Sequence, residues 1–408
     1  MPVNLSTPRK GSLLPIAGIE LGIASAGIKT IDHPDLVIIK LAEGTKTSAV
    51  YTQNSFCAAP VILAKQHQNK TAPAYLVINS GNANAGTGEQ GLQSAQACCQ
   101  AVAELAGVDS SSVLPFSTGV IGQQLPVAKI QQALPIAYQK LTSDNWFNAA
   151  HAIMTTDTVA KAVSKKIDID GKQVTVTGMA KGSGMIRPDM ATMLSYIATD
   201  AAVKQSVLDK ILHTAMEQSF NRITVDGDTS TNDACVLMAT GQANNDEITR
   251  FNSAAGQSLY QVIAQISQQL AHAIVRDGEG ATKFIAIEVN QGVNAEECRQ
   301  VAYTIAHSPL VKTALFASDP NWGRILAAVG RSGISNFDLS KVMIYLGDVC
   351  IVDGGQPAQD YTEKQGQKVM DQDEITIKVE LGRGEAEDVV WTCDFSYDYV
   401  KINAEYRT

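Results

Sequence analysis

Several features that mark metal enzymes, membrane proteins and nucleic-acid-binding proteins are missing from these 408 residues. The six histidines form no pair at metal-ligand spacing, and the seven cysteines show no paired metal spacing. We therefore expect no metal site, and reduced cysteines with structural roles. No apolar run reaches the ~18 residues of a membrane span. The net charge of −9 offers no basic surface to nucleic acid or to an anionic membrane, so the sequence predicts neither partner.

Composition and element order indicate a globular α/β protein. Hydrophobic residues make up 45% of the chain and charged residues 18%, which is typical of a packed core rather than of disorder. Strands mixed with long helices, one of them predicted over residues 295–316, favour stacked mixed sheets with helices outside them. Residues 1–11 lack the charged-then-apolar order of a signal peptide, so we expect a cytoplasmic protein.

Residues 181–194 form the most unusual stretch of the sequence and read Lys-Gly-Ser-Gly-Met-Ile-Arg-Pro-Asp-Met-Ala-Thr-Met-Leu. Gly182 and Gly184 permit positive φ and close backbone approach, and Pro188 fixes φ, so this stretch predicts a tight, shaped loop. Thr192 then opens an apolar run that is typical of a buried strand.

The hydroxyl of Thr192 can act as a nucleophile at this position. Its hydroxyl can attack the preceding carbonyl, and hydrolysis of the resulting ester makes Thr192 a chain terminus with its own α-amino group. Because an α-amino group has a pKa of roughly 7.7 to 8, it can take the hydroxyl proton near neutral pH without any histidine. A plain glycine turn is the simpler interpretation and stays open at this point. A phosphate cradle lacks the helix that should follow its loop.

Other segments combine turn formers with polar side chains. Residues 79–88 are rich in Asn and Gly, and residues 114–122 form a short strand that breaks at glycine, where N–H groups can point into a cleft. Thr155 lies in a Thr-Thr-Asp-Thr run, and Glu279 lies between two glycines. Residues 220–233 hold three carboxylates without the spacing of a calcium loop, so we expect hydrogen-bonded packing there. Each segment alone is more typical of a turn, a cap or a solvated acid than of a functional site.

Taken together, these segments resemble the ornithine acetyltransferase family, also called bifunctional glutamate N-acetyltransferase, of arginine biosynthesis. The resemblance covers essentially the whole chain. The segments that carry it are residues 79–88, 117–122, 154–158, 181–194, 276–283 and 319–324, and the ending at Thr408.

The resemblance implies a precursor that cuts itself between Ala191 and Thr192. Residues 1–191 would form an α chain and residues 192–408 a β chain that begins with the nucleophile. It also implies a layered αββα architecture related to N-terminal-nucleophile enzymes, and an assembly of two α and two β chains.

The resemblance assigns roles by position. Thr192 matches the nucleophile, with its freed amine as base, and Thr118 and Gly119 match the pair that stabilises the oxyanion. The positions that match substrate-binding residues are Thr155, Lys181, Thr192, Glu279, Asn403 and Thr408. Arg187 and Asp189 match no fixed feature of the family, and whether they form an ion pair or tune the cleavage stays open.

The implied reaction is a ping-pong transfer of the acetyl group from N2-acetylornithine to glutamate, with no metal and no bound cofactor. Whether acetyl-CoA also serves as acetyl donor is left open by the sequence. An amidase or aminopeptidase on the same scaffold is the alternative. A binding protein without catalysis would require loss of the Ala191–Thr192 pair, which is intact.

We expect the purified protein to consist of two fragments, residues 1–191 and 192–408, which intact-mass analysis will detect. Thr192→Ala removes the attacking hydroxyl, so this variant should remain one chain and show no turnover. A wild-type protein that is active as an unbroken polypeptide would contradict the expectation.

Overall fold

A computed structural model describes residues 2–29, 33–187 and 193–405, and within these ranges the chain forms two compact units. The large unit comprises Thr7–Asn221 and Asp228–Ile274. The small unit comprises the described residues of Met1–Ser6, Arg222–Gly227 and Val275–Thr408. None of the helices in the described ranges combines the length and apolar character that a membrane crossing requires.

The large unit contains two mixed sheets. Their strands are β1 (Ile19–Ala24), β2 (Leu36–Leu41), β3 (Lys46–Tyr51), β4 (Tyr75–Asn79), β5 (Val113–Ser117), β6 (Lys161–Ile169), β7 (Lys172–Lys181), β8 (Leu194–Thr199) and β9 (Ala234–Ala239). One sheet has the order β1-β2-β4-β5, and the other has the order β3-β9-β8-β7-β6. β4 and β5 run parallel, as do β8 and β9, and the other neighbours are antiparallel.

The two sheets stack face to face around one apolar core. Side chains such as Leu21, Ile39 and Leu76 point into it from the first sheet, and Tyr196 and Val236 point into it from the second. All five are fully buried. Because successive side chains of a strand alternate between its two faces, each sheet has a second face that other elements must cover.

Most helices of the large unit cover these outer faces, whereas Trp146 and Ala149 of the short fourth helix lie in the core between the sheets. The helices that begin in the large unit are α1 (Ala59–Lys70), α2 (Gly88–Ala106), α3 (Val127–Gln139), α4 (Trp146–Ala152), α5 (Gln205–Glu217) and α6 (Ala254–Arg276). The first three pack on the four-stranded sheet, where Cys99 and Ile130 meet Ile38. α5 packs on the five-stranded sheet against β3 and β9, and α6 approaches it at Gly178 of β7, where a Cβ would meet Ile266 and Leu270. The predicted stacked mixed sheets with outer helices are therefore confirmed in this unit.

The small unit is built on one sheet of order β13-β12-β11-β14-β10-β15. Its strands are β10 (Phe284–Gly292), β11 (Met343–Leu346), β12 (Val349–Asp353), β13 (Gln356–Pro357), β14 (Glu374–Glu380) and β15 (Ala386–Cys393). Its helices are α7 (Ala295–Ala306), α8 (Pro309–Phe316), α9 (Trp322–Gly330), α10 (Glu363–Met370) and α11 (Tyr397–Ala404).

The single helix predicted over residues 295–316 is wrong, because two helices, α7 and α8, occupy that range. The break lies at Ser308, whose side chain accepts a hydrogen bond from the N–H of Val311 and so caps α8. Pro309 follows at the first position of α8, where its missing N–H costs nothing. The apolar pattern runs through the break and conceals it.

Gly22 on β1 marks a close approach between the first sheet and α3. A Cβ at Gly22 would overlap the carbonyl oxygen of Ala137 on that helix. Gly22→Ala should therefore force the helix away and lower the free energy of unfolding by about 1–3 kcal/mol, as other overpacking substitutions do. Gly11→Ala is the control, because a Cβ there meets nothing within 4 Å. Urea unfolding curves that coincide for the two variants would contradict this account.

Candidate active site

The connection between β7 and β8 carries the loop that stands out in the sequence. Lys181 at the end of β7 pairs with Leu194 at the start of β8, so the two ends of the loop face each other across an antiparallel ladder. Met193 is buried, and its carbonyl accepts a hydrogen bond from the N–H of Ala234 on β9 at 2.9 Å. The start of β8, which follows Thr192 in the sequence, is thus bonded to β7 on one side and to β9 on the other.

Three of the predicted site residues lie outside the described residues. They are Ala191 and Thr192, which belong to the range 188–192, and Thr408 at the end of the chain. Their predicted roles remain predictions.

The first half of the loop is held by short polar contacts. Gly182 has a φ of +152°, and its N–H donates to Oδ1 of Asp157 at 2.7 Å. A Cβ at Gly182 would lie 3.0 Å from Cδ1 of Ile186, so the backbone at Gly182 packs tightly against a side chain of the same loop. The hydroxyls of Thr156 and Ser183 are 2.6 Å apart. The segment 155–158, where the sequence predicted a cap or a turn, therefore supports the loop.

Asp157 is a buried carboxylate at the centre of these contacts. Nζ of Lys161 lies 2.6 Å from Oδ1 of Asp157, and both side chains are fully buried. The N–H of Thr155 donates to Oδ2 at 3.1 Å. Burial by itself would raise the pKa of Asp157, but the charges of Lys161 and Lys181 outweigh burial and lower that pKa to about 2. Asp157 is therefore ionised at neutral pH.

Thr118 and Gly119 lie directly after β5. Gly119 has a φ of +134°, and a Cβ there would overlap the backbone of Gly81, so only glycine fits. Nζ of Lys181 donates to Oγ1 of Thr118 at 2.9 Å. The hydroxyl of Thr118 thus keeps its own proton for another acceptor, and the N–H of Gly119 has no acceptor among the described residues. Two such donors can stabilise an oxyanion.

Asn232 is a residue of this site that the sequence reasoning missed. Its amide nitrogen donates to the carbonyl of Ala83 at 2.6 Å and to the carbonyl of Ser117 at 2.9 Å. Its oxygen accepts from the hydroxyl of Thr231 at 2.6 Å. Asn232 therefore joins the Asn-rich turn after β4 to the end of β5, and the segment 220–233 is the hydrogen-bonded loop that we expected.

Glu279 and Asn403 belong to the small unit and contact each other. Nδ2 of Asn403 donates to Oε2 of Glu279 at 2.8 Å and to the carbonyl of Tyr399 at 3.0 Å. Gly280 has a φ of +70°, and a Cβ there would lie 2.5 Å from the N of Tyr399. The hydroxyl of Ser396 donates to the carbonyl of Gly280 at 2.6 Å. These contacts fix the acid against α11.

The described site residues thus fall into two groups, Thr118, Gly119, Thr155 and Lys181 in the large unit, and Glu279 and Asn403 in the small unit. Asp157 and Asn232 were visible in the sequence only as turn or cap formers. The one additional signal is the pair of an acid and a lysine four residues apart, Asp157 and Lys161. Within the part of the chain that the structure describes, no group of three or more His, Cys, Asp or Glu side chains is arranged to hold a metal ion.

Comparison with known proteins finds a family model and curated relatives that match nearly the whole chain. A model described as the ArgJ family matches residues 20–408. Two curated relatives, both named arginine biosynthesis bifunctional protein ArgJ, come from Pseudomonas syringae pv. tomato and Pseudomonas fluorescens. Each is 57% identical over 397 residues, which is 97% of this chain and 98% of the relative.

A solved structure of ornithine acetyltransferase complexed with ornithine, from Mycobacterium tuberculosis, is 31% identical to this chain. The match covers 46% of this chain and 99% of that chain, with a TM-score of 0.39.

The buried carboxylate predicts a specific pH dependence of stability. The pKa of Asp157 is about 2 in the folded protein and ~3.9 in an unfolded chain, so its stabilisation is complete above pH ~4 and is lost as the pH falls towards 2. Asp157→Asn should be less stable by about 3 kcal/mol at pH 7, because Lys161 is left buried without its carboxylate. The difference in the free energy of unfolding between wild type and Asp157→Asn should be about 2 kcal/mol smaller at pH 2 than at pH 7.

Chemical unfolding between pH 7 and pH 2 measures both effects. Asp170→Asn is the matched control, because Asp170 is exposed in the turn between β6 and β7. A gap between wild type and Asp157→Asn that stays constant with pH would refute the assignment.

Proposed function

The chain belongs to the ArgJ family, and on that premise we propose that it transfers the acetyl group of N2-acetyl-L-ornithine to L-glutamate. The products are L-ornithine and N-acetyl-L-glutamate, and the reaction serves arginine biosynthesis. The observation that carries the proposal is the 57% identity over nearly the whole chain to bifunctional ArgJ proteins. It favours this transferase over an amidase or aminopeptidase.

Self-cleavage between Ala191 and Thr192 is part of the proposal. The two fragments would share one sheet, because β3, β6 and β7 precede the cut whereas β8 and β9 follow it. β8 pairs with β7 from the first fragment and with β9 from the second. The ladder hydrogen bonds and the core between the sheets therefore hold the fragments together after the bond is broken.

The first half of the proposed reaction loads the acetyl group onto Thr192. The α-amino group of Thr192 takes the hydroxyl proton, and Oγ1 attacks the acetyl carbonyl of acetylornithine. The hydroxyl of Thr118 and the N–H of Gly119 donate to the oxyanion that forms, and the charge of Lys181 beside Thr118 strengthens the first donor. The C–N bond then breaks, the departing ornithine nitrogen takes the proton back, and an acetyl ester remains.

The second half repeats these steps in reverse. The amine of glutamate attacks the ester carbon, the oxyanion forms at the same donors, and the threonine oxygen leaves with the proton. One amide replaces another, so no nucleotide is consumed. Thr155, Lys181, Glu279, Asn403 and Thr408 are the proposed substrate-binding residues.

The chemistry of these residues fits the proposed substrates. Lys181 is suited to bind a carboxylate and Glu279 to bind an amine. Acetylornithine and glutamate each carry both a carboxylate and an amine. The name of the bifunctional relatives fits a second acetyl donor, for which we propose acetyl-CoA as co-substrate. An assembly of two α and two β chains and a cytoplasmic location are parts of the same proposal.

An acetyl-trapping assay tests the proposal. Protein incubated with acetyl-labelled N2-acetylornithine, without glutamate, should carry one acetyl group on the fragment 192–408. Addition of glutamate should remove that group and yield labelled N-acetylglutamate. Labelled acetate as the main product would identify a hydrolase instead.

The rate at which labelled N-acetylglutamate forms in the same assay tests the role of Thr118 as an oxyanion donor. Thr118→Val removes the hydroxyl and should lower kcat by about 10²–10³-fold, whereas Thr118→Ser keeps the hydroxyl and should retain most of the rate. Equal rates for the two variants would exclude Thr118 from this role.

A further inference from the structure

Asn79 is the last residue of β4, and its side chain joins two backbone segments that meet beside the proposed oxyanion donors. Nδ2 of Asn79 donates to the carbonyl of Asn82 at 2.8 Å, and Oδ1 accepts from the hydroxyl of Ser117 at 2.6 Å. The main-chain carbonyl of Asn79 accepts the N–H of Thr118 at 3.0 Å. Asn79, Asn82 and Ser117 are all buried. One buried side chain thus ties the turn after β4 to the end of β5.

These two segments approach each other closely at Gly119. A Cβ at Gly119 would lie 2.3 Å from the carbonyl carbon of Gly81 and 2.5 Å from the nitrogen of Asn82. The N–H of Val120 donates to the carbonyl of Gly81 at 3.4 Å, which is long for a bond of this kind. The spacing between the turn and the strand end therefore decides where the hydroxyl of Thr118 and the N–H of Gly119 lie.

The two side-chain bonds of Asn79 are shorter than this backbone bond, and they need an amide. A single side chain at this position must donate to a carbonyl and accept from a hydroxyl, which asparagine does with one planar group. Alanine would leave the carbonyl of Asn82 and the hydroxyl of Ser117 buried without these bonds, and such groups are costly to bury unpaired. The turn and the strand end could then change their spacing.

We propose that Asn79 is a positioning residue that holds the hydroxyl of Thr118 and the N–H of Gly119 at the spacing that the oxyanion requires. This inference deepens the proposed function and rests on it, because it takes these two groups as the oxyanion donors. Asn79 acts through the backbone segments that carry the donors. A small displacement of the donors weakens their hydrogen bonds to the transition state, where their contribution is largest.

Asn84 provides a matched control within the same turn. Nδ2 of Asn84 donates to the carbonyl of Gly91 at 2.9 Å, and Oδ1 accepts from the hydroxyl of Thr87 at 2.9 Å. Asn84 is fully buried and makes the same two kinds of bond as Asn79, but to the start of α2 instead of to the end of β5. Asn84→Ala should cost at least as much stability as Asn79→Ala, because Asn84 has a φ of +47°, which alanine tolerates poorly.

The steady-state kinetics of acetyl transfer test the inference. Asn79→Ala should lower kcat and kcat/KM by the same factor, about 10-fold or more, with KM unchanged, because the affected bonds form in the transition state. Asn84→Ala should keep most of the wild-type kcat at a temperature where both variants are folded. Rates are expressed per molecule that intact-mass analysis shows to be cut, so that slower self-cleavage does not count as slower transfer. Equal kcat values for Asn79→Ala and Asn84→Ala would overturn the proposal.

A double-mutant cycle with Thr118→Val separates positioning from a general loss of stability. If Asn79 acts through the donors, Asn79→Ala should reduce kcat by a smaller factor in the Thr118→Val protein than in wild type, because one of the donors is already gone. Equal factors in the two backgrounds would contradict the proposal. If Asn79→Ala does not fold, Ser117→Ala takes its place in both experiments, because it removes one bond of Asn79 and keeps the amide.

Failure of the inference and failure of the proposed function give different results. If the wild-type protein transfers acetyl groups and Asn79→Ala matches Asn84→Ala, the inference fails while the proposed function stands. If the wild-type protein transfers none, the proposed function fails, and the inference fails with it.

Discussion

The hydrogen bond from Lys181 to Thr118 connects the two stacked sheets of the large unit at the place where the candidate site lies. Lys181 ends a strand of the five-stranded sheet, and Thr118 follows a strand of the four-stranded sheet. The distance between these groups therefore depends on how the sheets stack, and the apolar core between them sets that stacking. A site whose groups come from the ends of strands is held more rigidly than one built from loops alone.

Polar groups that are costly to bury gather around this contact. Asp157 and Lys161 lie at full burial, where the loss of hydration offsets much of their mutual attraction. Oδ1 of Asp157 also accepts the N–H of Gly182, so the ion pair fixes the start of the loop as well as balancing a charge. Asn232 does the same for the turns after β4 and β5. These side chains fix the positions of the loop and the turns at the candidate site more than they stabilise the fold.

Much of this arrangement could be predicted from the sequence. Glycine at 119, at 182 and at 280 marked places where the backbone takes a positive φ beside predicted site residues, and the apolar runs indicated stacked sheets. Asn232 could not be assigned, because an amide in a polar turn looks the same whether it faces water or joins two buried carbonyls. Asp157 was ambiguous for the same reason, since caps and buried ion pairs use the same residue types. The break between α7 and α8 was missed because the apolar periodicity continues across it.

One sheet contains strands from both sides of residue 191, and this has a consequence for the proposed cleavage. In the precursor, all five strands of that sheet are joined by one chain, so their assembly is unimolecular. If the proposed cleavage places β7 and β8 on separate polypeptides, reassembly from the denatured state requires an encounter between two chains, and its rate depends on protein concentration. The proposed cleavage would therefore have to follow folding, and it would make unfolding hard to reverse at low concentration.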